Sequence, residues 1–165
     1  MDITYRRGTL QDTPAIFNVF TQCFNDLSRR SGTADHDNVW ADPTFVAAIW
    51  DRLQSQFEYL ATTAEQYWVA EQDGHVVGYA RSILENGVRE LTEFFVWPAC
   101  QSAGIGRELL LHAFPVEGAQ RRVIMATTQG LRITFVLLSS GQFGGLSTYN
   151  CRPIQHVNVS AEYFS

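Results

Sequence analysis

The apolar spacing along this 165-residue chain predicts an α+β fold, a mixed α/β arrangement in which helices flank a central, mostly antiparallel mixed sheet. Two observations carry that prediction. Hydrophobic residues recur with a helical period of about 3.6 through Phe57 and with a period of 2 across residues 66–97. The turn dipeptides Asp73-Gly74 and Asn86-Gly87 then divide the period-2 region into three runs joined as hairpins.

In chain order, Ile3–Arg7 alternates weakly and predicts a first strand. Thr9 and Asp12 form a capping-box pair, and Ile16, Val19, Phe20, Cys23, Phe24 and Leu27 follow on one helical face. Residues 28–41 are polar and aperiodic, so they read as a loop. Asp42 followed by Pro43 reads as an N-cap with proline at the first helical position, opening a second helix with Phe45, Ile49, Trp50, Leu53 and Phe57 turned inward. Residues 66–72, 75–85 and 88–97 predict the three-stranded meander, which Pro98 ends. A helix is predicted over 104–114, terminated by Pro115, and a buried strand over 123–127. Residues 129–140 are expected to be helical despite their β-branched content, and 149–159 to supply one or two terminal strands divided by Pro153. No repeat or linker interrupts the chain, which reads as one domain over 1–165.

Composition narrows the function. With 45% hydrophobic and 13% aromatic residues the chain can bury a real core, and disordered or collagen-like classes are excluded. A formal net charge of -5 offers no basic surface for nucleic acid or an anionic membrane, and no apolar run approaches the roughly 18 residues of a membrane span. All 12 basic residues are arginine, so lysine catalysis and a Walker-type phosphate lysine are impossible. Any bound anion has to be held by arginine, hydroxyls or backbone N–H groups. Cys23, Cys100 and Cys151 are too few and too scattered for a disulfide framework and contain no C-x-x-C. With no signal-peptide pattern in residues 1–7, a cytoplasmic location is expected.

The segment LTEFFVWPACQSAGIGRELLL, residues 91–111, carries the chemistry. A strand ends at Pro98, Gln101, Gly104 and Gly106 form Q-x-x-G-x-G, and a helix opens at once. Such an order builds an anion site from backbone alone, because first-turn N–H groups lack intrahelical partners and sit at the positive end of the helix dipole. A dinucleotide fingerprint needs a third glycine where Leu109 stands, and a P-loop needs a lysine. A tight strand-to-helix turn that binds nothing is the plainer alternative.

At this point the chain resembles the GNAT superfamily of N-acetyltransferases, whose acetyl-CoA motif is Q/R-x-x-G-x-G/A between a hydrophobic strand and a helix. The resemblance extends from about residue 3 to 127 and includes the turn Asp73-Gly74 followed by His75-Val76-Val77-Gly78, while 128–165 is atypical. It implies a GNAT-like fold with acetyl-CoA as cofactor. The pyrophosphate would lie on the N–H groups of Gln101, Ser102, Ala103, Gly104, Ile105, Gly106 and Arg107, and the pantetheine arm along Phe95, Val96 and Trp97. The Val96 N–H would be the oxyanion donor.

Transfer to an amine needs a base, because an ammonium of pKa about 10 has no lone pair at neutral pH. Glu90 and Glu93 precede the motif and are the candidates. In a regular strand they face opposite sides unless a bulge intervenes, and the resemblance favours Glu90 by position whereas Glu93 stands closer to the expected thioester. Family members often place an acidic tyrosine on a helix after the fifth core strand. That position falls at Val136 or Leu137, neither of which can donate a proton, leaving Tyr149, Ser139 or water. Phe17, Phe20, Phe24, Trp40, Phe45 and Trp50 either wall an acceptor pocket or form core, and Asp35, His36, Asp37 and Asp42 make the intervening loop acidic. Cys100, near the helix start where a thiolate would be stabilised, reads as an inert small hydrophobe and His112 as a surface or boundary residue, and Arg121-Arg122 either reaches the cofactor's adenosine phosphate or is a solvated pair. The expected function is acetyl transfer from acetyl-CoA to a primary amine of a small molecule or peptide; the competing readings are a coenzyme A-binding module without turnover and half of a homodimer.

Overall fold

The computed structural model describes residues 2–30, 38–101, 103–128 and 132–139. Within them a six-stranded sheet runs in chain order, β1 (Ile3–Arg7), β2 (Gln66–Gln72), β3 (His75–Glu85), β4 (Val88–Val96), β5 (Arg121–Thr128) and β6 (Arg132–Ser139). Every neighbouring pair is antiparallel except β4 and β5, which are parallel. Helices α1 (Thr13–Arg30) and α2 (Pro43–Thr63) cover one face and α3 (Ile105–Ala113) the other. None of the described helices is long and apolar enough to cross a membrane.

The meander lies where the dipeptides place it. Asp73 and Asn86 have φ of 51° and the glycines after them 77° and 78°, so both turns take the left-handed pair that matches the twist of the strands they join. On the α1/α2 face Ile16, Phe17, Val19, Phe57, Tyr67, Val69 and Tyr79 form one core. On the α3 face Ala70, Val77, Ala80, Leu91, Val96, Ile105, Leu109, Ala113 and Phe114 form another. Each strand of the meander therefore buries both of its faces, which is what its apolar content requires.

Three expectations change. The helix expected over 129–140 is the strand β6, its Arg132–Ser139 paired residue for residue with β5. Ile133, Thr134 and Val136 lose χ1 freedom in a helix and fit a pleated surface, and the exposed edge of β5 gives them a ladder. The loop expected from Ser28 begins later, because α1 continues to Arg30, with Ser28 buried and Arg30 paired to Asp26 across one turn at 2.5 Å. Strand β4 gives up its regular alternation at Thr92, where the register against β3 steps from Ser82–Leu91 to Arg81–Glu93. The terminal strands expected within 149–159 lie outside the described residues.

Two buried arginines tie the sheet to its surroundings. Arg89 joins Glu65, the Glu117 carbonyl at 3.1 Å and the Ser82 hydroxyl at 3.4 Å. Arg122 donates to the Phe114 carbonyl at 3.0 Å with its guanidinium over the Phe114 ring, so it is a structural clamp at the end of α3.

The first helical turn is held by Asp12, which accepts the Thr9 N–H at 2.7 Å, the Thr9 hydroxyl at 2.9 Å and two bonds from Arg6 at 2.9 and 2.7 Å. Burial works against its ionisation, but the Arg6 and Thr9 bonds outweigh it and hold the carboxyl below its ordinary value. Asp12→Asn is expected to lower unfolding free energy at pH 7 by about 1–3 kcal/mol. A depressed carboxyl stabilises only while ionised, so the difference from wild type should shrink as pH falls below about 3.9 and disappear only below the depressed native value, measured by urea unfolding across a pH series downward from pH 7.

Candidate functional site

Parallel pairing of β4 with β5 spans Val88–Leu91 against Arg121–Ile124 and stops there, while β4 runs on to Val96 and β5 to Thr128. Past Leu91 the two strands part. The divergence opens two adjoining cavities of about 440 and 300 Å³, whose walls share Cys23, Phe94, Phe95 and Gln101. The larger is floored by Leu91 and Ile124 where the ladder ends and walled by Phe24, Asp26, Leu27 and Arg30 of α1 together with Thr92 and Glu93. The smaller reaches Val96 and Gly106 at the start of α3. Together they form one cleft that follows the edge of β4 to a helix N-terminus.

Alternation fixes which backbone groups face it. The Trp97 N–H donates to the Val77 carbonyl at 2.8 Å, toward β3, so the N–H and C=O of Val96 and, two residues back, of Phe94 turn to the open edge. The Val96 carbonyl there accepts from Gln101 Nε2 at 3.1 Å and from Cys23 Sγ at 3.2 Å. Of the three strand positions expected to line an arm of the cofactor, Val96 faces the cleft, whereas Phe95 and Trp97 turn their backbone to β3. Phe94 takes their place; a strand's edge polarity depends on register, which residue type does not encode.

The glycine loop has the geometry an anion needs. Gly104 caps α3 with φ of 81°, and a Cβ there would meet nothing within 4 Å. Its missing side chain leaves open space above the first turn. At Gly106 a Cβ would come within 3.0 Å of the Phe94 ring, so glycine lets α3 lie close to the end of β4. The first N–H groups that bond back within the helix are those of Arg107 and Glu108, to the Gly104 carbonyl at 3.1 and 3.2 Å. Ala103, Ile105 and Gly106 precede them at the positive end of the dipole, and Arg107 stands exposed beside Glu108. Ser102 lies outside the described residues.

The register step at Thr92 decides the carboxylates. Glu90 pairs with Ile83 and Glu93 with Arg81, and Ile83 and Arg81 are two apart on β3. With Thr92 as the extra residue, Glu90 and Glu93 share the face toward α1 and α2. Glu93 enters the cleft wall, and its Oε2 meets Arg81 Nε at 2.8 Å. Burial pushes its carboxyl up, opposed by the Arg81 charge and the Tyr79 hydroxyl. Cys23 in the same cleft is pushed up to about 11 by burial and by Asp26, so it remains a thiol at neutral pH. Tyr149 lies outside the described residues, and Val136 and Leu137 sit opposite Ile124 and Val123 on β6 rather than on a helix.

Other residues resolve as packing. Phe20, Phe24, Trp40 and Phe45 stack on one another, with Phe24 alone of these reaching the cleft. His112 lies flat against Trp68 at 4.3 Å, and Cys100 faces Gln72 on the α3 side. Among the described residues no group of three His, Cys, Asp or Glu side chains is arranged to hold a metal. Sequence reasoning passed over Phe94, Thr92, Cys23, Asp26 and Arg81. An arginine in an otherwise apolar strand pattern was the one signal present for Arg81.

Comparison with known proteins agrees with this geometry. The sequence profile of the acetyltransferase (GNAT) family matches residues 16–130. The uncharacterized N-acetyltransferase YjgM of Escherichia coli (strain K12) is 31% identical over 139 residues, 80% of this chain and 76% of that one. The PaiA N-acetyltransferase of Thermoplasma acidophilum, solved with coenzyme A, superposes with a TM-score of 0.59 at 17% identity, covering 78% of this chain and 82% of that one. A GNAT-family acetyltransferase of Brucella melitensis, solved with acetyl-CoA, gives 0.54 at 24% identity over 86% and 90%. These two share the fold, and the profile and the Escherichia coli relative fix the lineage: this chain belongs to the GNAT family of acetyltransferases.

Proposed function

We propose that the chain is an acetyl-CoA-dependent N-acetyltransferase that acetylates a primary amine of a small molecule or peptide by direct transfer within a ternary complex. The observation that carries this reading is the continuity between the open edge of β4 and the first turn of α3. The Phe94 backbone and the Val96 N–H face the open edge, and an extended ligand bearing amides pairs with such an edge as an added strand does. The diphosphate end of that ligand meets Gly104, Ile105, Gly106 and Arg107, where a lysine-free chain offers N–H groups and one exposed guanidinium.

When bound, acetyl-CoA supplies a thioester-activated acetyl group. Glu93 takes one proton from the acceptor's ammonium, directly or through water, and passes it to solvent. The freed lone pair attacks the acetyl carbon, a C–N bond forms and the C–S bond breaks with its electrons left on sulfur. The second nitrogen proton goes to that sulfur. The Val96 N–H, directed into the cleft, stabilises the negative charge on the acetyl oxygen. A binding module without turnover is the second reading. It is favoured by Val136 and Leu137, which cannot protonate a thiolate, and it predicts acetyl-CoA binding with no thiol release on any amine.

Acetyl-CoA at a hundredfold excess over its Kd should stabilise the wild type by about 2.7 kcal/mol, several degrees of melting temperature. Gly104→Asp puts one of the few side-chain types that visit the left-handed region at a φ of 81°, and its carboxylate opposes the phosphates and should abolish the shift, with the thermal melt without ligand certifying the fold. An unchanged shift in this variant would sink the phosphate assignment.

For catalysis, Glu93→Gln should lower kcat about 10²–10⁴-fold with acetyl-CoA affinity unchanged, followed by thiol release on an amine panel. Because burial raises the carboxyl, wild-type rate should rise with pH around a midpoint above about 4.3.

A further inference from the structure

We propose that Arg81 is a positioning residue of the transfer reaction, placing the Glu93 carboxylate in the cleft wall beside a fixed positive charge. The inference rests on the acetyltransferase reading above and adds to it a residue with no route to substrate. Arg81 is fully buried on β3, the strand paired with β4. Its Nη1 donates to the Phe57 carbonyl of α2 at 2.7 Å, and its guanidinium lies 5.3, 4.8 and 5.5 Å from the ring centroids of Phe57, Tyr67 and Tyr79. Its Nε lies 2.8 Å from Glu93 Oε2, an ion pair in contact without a directed hydrogen bond.

A buried guanidinium is an expensive way to stabilise a core. A buried ion pair often contributes less than an apolar side chain of the same volume, so stability alone does not explain it. What the arrangement does provide is orientation. The side chain cannot move without losing the hydrogen bond to Phe57 and three ring faces, so the place its Nε takes beside Glu93 is fixed. The backbone cooperates: the extra residue at Thr92 rotates Glu93 onto the Arg81 face, and the Thr92 hydroxyl donates to the Arg81 carbonyl at 3.0 Å, fastening the bulge to the same residue. Without that bulge Glu93 would point toward α3, away from both Arg81 and the cleft wall.

The charge balance around Glu93 has the same logic. Tyr79 and Arg81 of β3 and Tyr67 of β2 face it from the sheet, Glu90 shares its face on β4, and Cys23, Asp26 and Arg30 of α1 line the same cleft. Asp26 is already paired with Arg30 at the cleft's rim, and Cys23 stays neutral. Arg81 is thus the cation in direct contact with the Glu93 carboxylate, and it opposes the rise that burial imposes. A carboxylate held ionised can accept the ammonium proton; a protonated one cannot.

The test compares wild type with Arg81→Met and Arg81→Lys in steady-state thiol-release assays against pH, using acetyl-CoA and the best amine of the panel, with circular dichroism and thermal melts to certify the fold. Arg81→Met is expected to move the acid limb of kcat upward by at least one pH unit and to lower kcat 10-fold or more at pH 7, with the KM for acetyl-CoA within twofold. Arg81→Lys, which restores a charge but not the fork, should recover part of both losses. In the Glu93→Gln background neither substitution should change the residual rate further. A folded Arg81→Met with an unmoved acid limb overturns the proposal, as does an Arg81→Lys that cannot fold, since positioning through charge requires that a lysine be tolerated. A wild type that binds acetyl-CoA but acetylates no amine removes the reading on which this one rests, whereas an active wild type with indifferent Arg81 variants removes this one alone.

Discussion

The site depends on a ladder that stops early. Two parallel strands, β4 and β5, share only four residue pairs, and everything that makes a cleft follows from their parting after Leu91 and Ile124. A sheet edge inside a protein is a debt of unpaired backbone groups, and the Val96 carbonyl shows how it is met locally, by the Gln101 amide and the Cys23 thiol. Because α3 begins directly beyond the end of β4, the same edge leads into uncommitted helix N–H groups. One break in strand pairing therefore sets an open backbone edge and an open helix N-terminus side by side.

The bulge at Thr92 is the second consequence of the same strand. A central strand buried on both faces has no natural place for a carboxylate, and Glu93 is tolerated because the bulge delivers it to a guanidinium already walled by Phe57, Tyr67 and Tyr79. The aromatic layer contributed by α1 and α2 thus has two tasks. Most of its rings close the core over β2 and β3, while Phe24 at its margin forms the cleft wall beside Asp26. Apolar packing holds the helices against the sheet, and the few polar groups at that boundary gather at the cleft.

Much of this was legible in the residues. Asp73-Gly74 and Asn86-Gly87 demand left-handed turns, so the meander and its limits followed from steric preference, and Gln101, Gly104 and Gly106 marked the anion site because only glycine leaves such a helix start open. The helix expected over 129–140 failed for a local reason too: the β-branched content was visible, but the exposed edge of β5 that rewarded it was not. Glu90 and Glu93 could not be told apart, since a one-residue register step changes the face of every residue beyond it.

Local rules, acting between residues a few positions apart, were enough for the amino-acid sequence to determine the α+β order of elements, the hairpins, the capping of α1 by Asp12 and the glycine-bearing start of α3. Tertiary structure alone decided where β4 and β5 part, that the backbone of Phe94 and Val96 rather than that of Phe95 and Trp97 opens on the cleft, and that Glu93 meets Arg81. Those outcomes are set by pairing between strands distant in the chain, and the free energy that selects one register belongs to the assembled sheet and its two packed faces rather than to any segment of it.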